Sequence, residues 1–236
     1  MKILIIIPAY NEEENIINTI AKINAFKKIK LDYVVINDGS TDNTKHLLEE
    51  NNINYIDLPF NMGIGAAVQT GYKYADINGY DIAVQFDGDG QHDINYIDRL
   101  IDPIKLGKAN IVVGSRYIDN TSKFKSTAAR RIGIKLISLF IKALSRKSLK
   151  DVTSGYRAVD KKIIKIFSKE YPHEYPEPIT NYALLKSEYK VEEVGVNMLE
   201  RAGGKSSIRS FKSIYYVINV FLSIMFINIK KYRRIK

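Results

Sequence analysis

Two hydrophobic periods alternate through the first half of the chain. Short, nearly continuous apolar runs occur at Lys2–Ile7, Leu31–Ile36, Ile53–Ile56, Asp81–Phe86 and Ile111–Val113. Their Val/Ile content suits strands covered on both faces. Between them, apolar positions recur at helical spacing over about Glu12–Ala25, Asp42–Asn51, Ile64–Ala75 and Ile94–Leu106. Strands alternating with helices of that length predict βαβ units and a mostly parallel sheet, hence an α/β fold. In such sheets ligands bind beyond the carboxyl ends of the strands. The segments that fall there are polar: Pro8–Glu12, Asn37–Asp42, Asn61–Gly65, Asp87–Asp93 and Gly114–Tyr117. Most carry glycine or acid, and one sheet edge gathers them, which turn chemistry alone does not require.

The fourth of these segments, Asp87-Gly88-Asp89-Gly90-Gln91-His92-Asp93, crowds three carboxylates behind an apolar strand. Such groups repel one another unless a cation or a protonated partner offsets the charge. Asp-Gly is also an ordinary turn signal, so a simple turn and a ligand site both fit this segment taken alone.

Charge placement adds a second feature. The 236 residues carry a net charge of +10, yet residues 121–150 hold nine Lys or Arg and no acid, and residues 201–236 do the same. The other 170 residues therefore sum to −8. A mildly acidic body with two basic segments points to a polyanionic partner: an anionic membrane surface, a phosphorylated substrate or nucleic acid. In the first segment the basic residues alternate with Ile and Leu at helical spacing, over Arg131–Lys147. In the second, Ser213–Ile229 is uncharged for 17 residues between Lys212 and Lys230. A spanning helix needs about 20 apolar residues, and this one contains Asn219, Ser223 and Asn228, so it reads as an interfacial helix or a contact with another copy of the chain. Ordinary packing on the domain is the plainer alternative for both helices. Nucleic-acid binding is disfavoured, because aromatics do not interleave with the basic residues and the acidic loops would stay unexplained.

Cysteine is absent, which excludes disulfides, thiolate metal sites and cysteine nucleophiles. The apolar start, Ile3–Ile7, is too short for a signal peptide and reads as a first strand. A cytoplasmic location, peripheral on the cytoplasmic face of the membrane, is expected.

The ordered segments PAYNEE, VVINDGSTDNT, NMGIGAAVQTGY, QFDGDGQHD, GSRY, SGYR (Ser154–Arg157) and RAGGKS (Arg201–Ser206) resemble the family 2 glycosyltransferases. The similarity is greatest to the branch of polyprenyl-phosphate sugar synthases and covers roughly residues 2 to 207. Two positions depart from the pattern: Ser207 stands where a lysine is usual, and Ile64 stands where relatives carry a lysine between the glycines. The resemblance implies a GT-A fold over residues 1–210, with a nucleotide-sugar half to about 117 and an acceptor half from 118, followed by a C-terminal helix at 211–236. It also implies a nucleotide-sugar donor, a Mg2+ or Mn2+ cofactor and inversion at the anomeric carbon.

On that resemblance Pro8, Tyr10, Glu12, Asp38, Gly39, Asp87 and Gly88 form the nucleotide-sugar site. Asp89 ligates the metal with help from Gln91, and His92 is either a further ligand or a supporting hydrogen-bond partner. Asp38-Gly39-Ser40-Thr41-Asp42 also carries a helix N-terminal signal, and a loop can both cap and bind. Arg116, with Arg130 or Arg131, is expected to meet the phosphate of a polyprenyl phosphate acceptor, and Arg201 and Lys205 to close over it. An ionised phosphate needs no strong base, whereas a glycan hydroxyl does. Glu177, in Tyr175-Pro176-Glu177-Pro178, is the candidate base for that second case, so the expected catalytic set is Asp89, Arg116 and Glu177. Its alternative is a carboxylate at a helix N-terminus.

Overall fold

The computed structural model describes residues 1–118, 128–199, 212–227 and 229–232. Strands β1 (Ile3–Ala9), β2 (Asp32–Asn37), β3 (Tyr55–Asp57), β4 (Ile82–Gln85) and β5 (Ile111–Ser115) alternate with helices α1 (Ile16–Ala25), α2 (Thr44–Glu50), α3 (Ile64–Ile77) and α4 (Ile97–Lys105). Then follow α5 (Ala128–Ser145), β6 (Arg157–Asp160), α6 (Lys161–Phe167), α7 (Pro176–Lys186), β7 (Val191–Gly195) and α8 (Lys212–Phe226). Among the described residues seven strands form one sheet, ordered β3-β2-β1-β4-β6-β5-β7. Only β6 runs against its neighbours. The sheet is therefore mostly parallel, as the alternation predicts.

Local chemistry explains the shifted boundaries. The helix expected from Glu12 begins at Ile16, because the N–H groups of Asn15 and Ile16 both donate to Glu12 O and close a turn first. The one expected from Ile94 opens as a 3-10 turn whose cap, Asp93, accepts from Asn95 N–H, before α4 proper starts at Ile97. Pro8 sits inside a central strand without losing a ladder bond. Pairing of β1 with β4 ends at Ile6 opposite Gln85, so nothing across from Pro8 requires its missing N–H.

Strand β6 belongs to the expected acceptor half yet lies between β4 and β5, so the two halves share one sheet. One face of the sheet buries Ile16, Ile20 and Ile23 of α1 and Ile97, Leu100 and Ile101 of α4. The other face buries Val68 and Tyr72 of α3, Ile163 and Phe167 of α6 and Leu184 of α7. A third cluster packs α5 and α8 onto α7 through Ile137, Ile141, Ile179, Val220 and Ile224, with Phe140 stacked on Phe221 at 4.4 Å. The C-terminal helix is thus seated on its own chain by one side. Among the described residues no helix is long and apolar enough to cross a membrane.

Candidate active site

At the ends of β1, β2 and β3, three loops are tied together before any ligand arrives. Asp38 is 4% exposed, and its two carboxylate oxygens accept from the backbone N–H groups of Met62 (2.8 Å) and Gly63 (3.0 Å). Gly39 has φ +63°, and a Cβ there would stand 2.4 Å from Phe60 C and 2.6 Å from Asn61 N. Both residues therefore clamp the β3–α3 loop, a duty that glycine alone can perform at position 39. Glu12 is buried, accepting from Asn15 Nδ2 at 2.8 Å, while Thr44 Oγ1 receives its backbone N–H at 2.8 Å. These bonds tie Glu12 to the start of α1 and to α2. Tyr10, 42% exposed, is left at the rim. The clamped loops enclose a cleft of about 440 Å3 lined by Tyr10, Gly39, Ser40, Lys45, Asp57 and Phe60, among others. Lys45 and Asp57 pair across it at 2.7 Å. Neither was singled out from sequence, although an acid at the end of the third strand was a readable signal.

The Asp87–Asp93 segment is fastened to the same edge. Gly88 N–H donates to Pro8 O at 3.2 Å, and Thr19 Oγ1 donates to Gly88 O at 3.2 Å. Asp89 Oδ1 accepts from Gln91 N–H at 3.0 Å, the geometry of a turn held by its own carboxylate. The Gln91 amide donates to Leu199 O at 3.4 Å. His92 lies beneath the turn, 3% exposed and stacked on Tyr156 at 4.6 Å. Its Nδ1 accepts from Asp87 N–H at 3.0 Å, and Nε2 lies 3.5 Å from Asp87 Oδ2. Burial pushes this imidazole down to about 4, so it is neutral near pH 7 and serves as a support for Asp87. Among the described residues no three His, Cys, Asp or Glu side chains gather closely enough to hold an ion unaided. Asp87 and Asp89 are both partly exposed at the sheet edge. That is the donor chemistry a Mg2+ or Mn2+ ion uses when phosphate oxygens and water complete its shell.

Behind Asp87 the sheet carries polar groups that sequence reading missed. Arg157 of β6 is fully buried, donates to Thr180 Oγ1 at 2.8 Å and to the Tyr171 hydroxyl, and reaches Gln85 Oε1 at 3.3 Å. Gln85 Nε2 in turn lies 3.5 Å from Asp87 Oδ1 and 3.4 Å from Glu177 Oε1. Glu177 stands in the first turn of α7, as the helix N-terminal reading expects, and the Gln85 amide brings it close to Asp87. Burial raises it above the usual carboxylate range, against the pull of Arg157.

The expected phosphate-binding arginines separate. Arg116 is 8% exposed and doubly bonded to Asp151, Nε to Oδ2 and Nη2 to Oδ1, both at 2.7 Å. Its Nη2 also donates to Thr153 Oγ1 at 3.0 Å, so Asp151 and Thr153 fix the orientation of the guanidinium. Arg130 is partly buried nearby, and burial followed by the Arg116 charge lowers it below an ordinary guanidinium. Arg131, next along α5, is exposed. Arg201 and Lys205 lie outside the described residues. A larger hollow of about 800 Å3, beside His92 and Leu199, is walled by Lys22, Phe26 and Lys28 and contains none of the expected donor residues. Size alone does not mark the site.

A mostly parallel sheet with loops clamped at one edge and an Asp-Gly-Asp turn beside them defines an α/β protein of the GT-A fold. The family model for glycosyl transferase family 2 matches residues 4–167, and the chain belongs to that family of enzymes. It is 30% identical over 240 residues to UDP-N-acetylglucosamine–dolichyl-phosphate N-acetylglucosaminyltransferase of Methanococcus voltae, covering 92% of this chain and 94% of that protein. It is 31% identical over 233 residues to dolichol-phosphate mannosyltransferase of Pyrococcus furiosus, covering 94% of this chain and 63% of that protein. In fold it matches glucosyl-3-phosphoglycerate synthase from Mycobacterium tuberculosis in complex with Mn2+, UDP-glucose and phosphoglyceric acid. That match has a TM-score of 0.70 at 18% identity, over 96% of this chain and 80% of that one.

Proposed function

We propose that this glycosyltransferase moves a sugar from a nucleotide-sugar to a polyprenyl phosphate with inversion, working peripherally at the cytoplasmic face of a membrane. The observation that carries the reading is the shared edge. A clamped cleft with an aromatic rim, Tyr10 and Phe60, opens beside the Asp87–Asp93 turn. The base and ribose would occupy the cleft, and the diphosphate would reach Asp89. Asp89, with Gln91, would hold Mg2+ or Mn2+, which offsets the negative charge growing on the departing diphosphate. Asp87, steadied by His92, faces the sugar. The acceptor phosphate oxygen attacks the anomeric carbon as the bond to the diphosphate breaks, and an ionised phosphate needs no base. Arg130, half-buried near Arg116, Tyr117 and Tyr216, suits that phosphate. Arg201 and Lys205 remain part of this proposal.

The lipid acceptor is favoured by the resemblance to dolichyl- and dolichol-phosphate transferases over more than nine-tenths of the chain. A glycan hydroxyl acceptor is the second reading, favoured by Glu177 lying against the same amide as Asp87. The test is transfer from radiolabelled UDP- and GDP-sugars, with Mn2+, to short-chain polyprenyl phosphate or to oligosaccharides. A lipid-extractable, acid-labile product supports the proposal. Transfer to oligosaccharide alone would replace it with the second reading, and no transfer from any nucleotide-sugar would refute both.

A further inference from the structure

Gln85 is a polar side chain, 1% exposed, at the end of an otherwise apolar strand. It stands directly opposite Arg157 across the antiparallel β4–β6 ladder. Arg157 is fully buried, and a guanidinium stays charged, so it requires acceptors. Thr180, Tyr171 and the Gln85 amide oxygen supply them. That requirement fixes which way the amide points. Turned over, its NH2 would face the cation and its oxygen would face two carboxylates. With the oxygen held toward Arg157, the two hydrogens on Nε2 are left for Asp87 Oδ1 at 3.5 Å and Glu177 Oε1 at 3.4 Å. These lengths lie at the long end of the hydrogen-bond range, so they orient the carboxylates more than they bind them. Gly155 fits closely over the junction: a Cβ there would come within 3.0 Å of both Gln85 Nε2 and Asp87 Oδ2.

We propose that Gln85, oriented by Arg157, is a positioning residue that holds the Asp87 and Glu177 carboxylates to a single amide and so fixes the wall against which the donor sugar lies. The inference rests on the donor-facing role proposed for Asp87. A Gln85 that merely satisfied Arg157 would leave both carboxylates indifferent to its amide nitrogen.

Gln85→Glu separates the two roles. It keeps an acceptor for Arg157, and with it the fold, but turns a like charge toward both carboxylates. Gln85→Met keeps the bulk and removes both roles. Crystal structures of the full-length variants should show the Asp87 and Glu177 carboxylates displaced by about 1 Å, and kcat should fall about 10- to 100-fold. KM for the donor and the melting temperature of Gln85→Glu should change far less than kcat. Gly155→Ala should displace Asp87 in the same sense. Carboxylates unmoved in both Gln85 variants would overturn the proposal, as would turnover falling only in step with folded protein. Should the wild type transfer from no nucleotide-sugar, the activity reading fails, and the carboxylate positions alone decide the role of Gln85.

Discussion

Arg116 and Asp151 form a closed buried pair at the end of β5. Two side-chain bonds of 2.7 Å join them, and the Arg116 backbone N–H adds a third to Asp151 Oδ2 at 3.0 Å. Asp151 is fully buried, and its own N–H donates to Glu193 Oε1 at 2.7 Å, so the pair pins β5 to the segment before β6 and to β7. Removing one partner leaves an uncompensated buried charge, which costs about 3–5 kcal/mol. Asp151→Asn and Arg116→Ala should each lower urea stability by that order. The double variant Arg116→Met/Asp151→Leu should lose less than either single one. Because Arg116→Ala damages the fold, lost activity in it says little about the acceptor. Arg130→Ala is the better probe: stability nearly unchanged, and KM for polyprenyl phosphate raised about tenfold, a loss of one charge-assisted contact. An unchanged KM would remove Arg130 from the acceptor site.

Asp89 should behave differently from Asp87. It is partly exposed in a turn beyond the sheet, and its bond to Gln91 N–H can be kept by an amide oxygen. Asp89→Asn should therefore melt within a few degrees of wild type yet lose Mn2+-dependent transfer by about 100-fold or more, since the lost charge acts mainly in the transition state. Chelation of the wild type should give the same loss, reversed by Mn2+. Full turnover in EDTA would refute the metal assignment.

The first five strands and four helices were legible because their apolar runs alternate two periods, and every loop expected at the carboxyl edge lies there. Strand β6 was not legible. Its four residues, Arg157-Ala158-Val159-Asp160, begin and end on a charge and show no alternation long enough to read. The antiparallel insertion that brings Arg157 against Gln85 was hidden with it, although a glutamine inside an apolar strand is a signal that a buried partner exists. The roles of Asp38 and Gly39 were half legible. The motif marked the loop, but only tertiary packing reveals that Asp38 spends both oxygens on Met62 and Gly63 and that Gly39 admits the Phe60 backbone. Arg116 was legible only as a phosphate-facing cation, and its partner Asp151, 35 residues away, could not be paired with it from the sequence.

His92 gives the protein an acid-sensitive support. Burial lowers it to about 4 from 6.5, so the unfolded chain takes up a proton in this window before the folded one does. Stability is fully present above pH 6.5 and falls as the pH drops toward 4, by up to about 1.4 kcal/mol per pH unit from this group. Urea denaturation in EDTA at pH 7, 6 and 5 should show that slope. His92→Asn keeps an acceptor for Asp87 N–H and should flatten it. Ring chemical shifts of His92 moving with a midpoint near pH 6.5 would contradict the buried, neutral state.

The outer faces of α5 and α8 make the membrane contact testable without unfolding the protein. On α5 the exposed apolar residues Ile132, Leu136 and Leu139 repeat at helical spacing, and on α8 Tyr215, Ile218, Leu222 and Met225 do the same. The two helices pack side by side, and both stripes belong to the outer surface of this helix pair. Arg131, Lys135 and Lys142 are exposed around it, and no acid occurs between residues 121 and 150. An anionic lipid surface is the partner of matching chemistry, with apolar side chains entering the interface and cations near the headgroups. Deleting α8 would be a poor test, because Val220 and Ile224 are buried against α5 and α7 and their loss would open the third core. Charges placed on the outer stripe avoid this. Leu139→Glu with Leu222→Glu should leave the melting temperature and the thermal shift given by nucleoside diphosphate with Mn2+ nearly unchanged. Sedimentation with phosphatidylglycerol vesicles should weaken at least tenfold, since each leucine withdrawn from the interface forfeits about 1.5–3 kcal/mol of burial. Binding by the wild type should also fall as salt rises from 50 to 500 mM, where the Debye length shrinks to a few ångströms. If the wild type ignores anionic vesicles at low salt, lipid does not cover this surface, and the soluble glycan acceptor, with Glu177 as its base, becomes the reading to pursue.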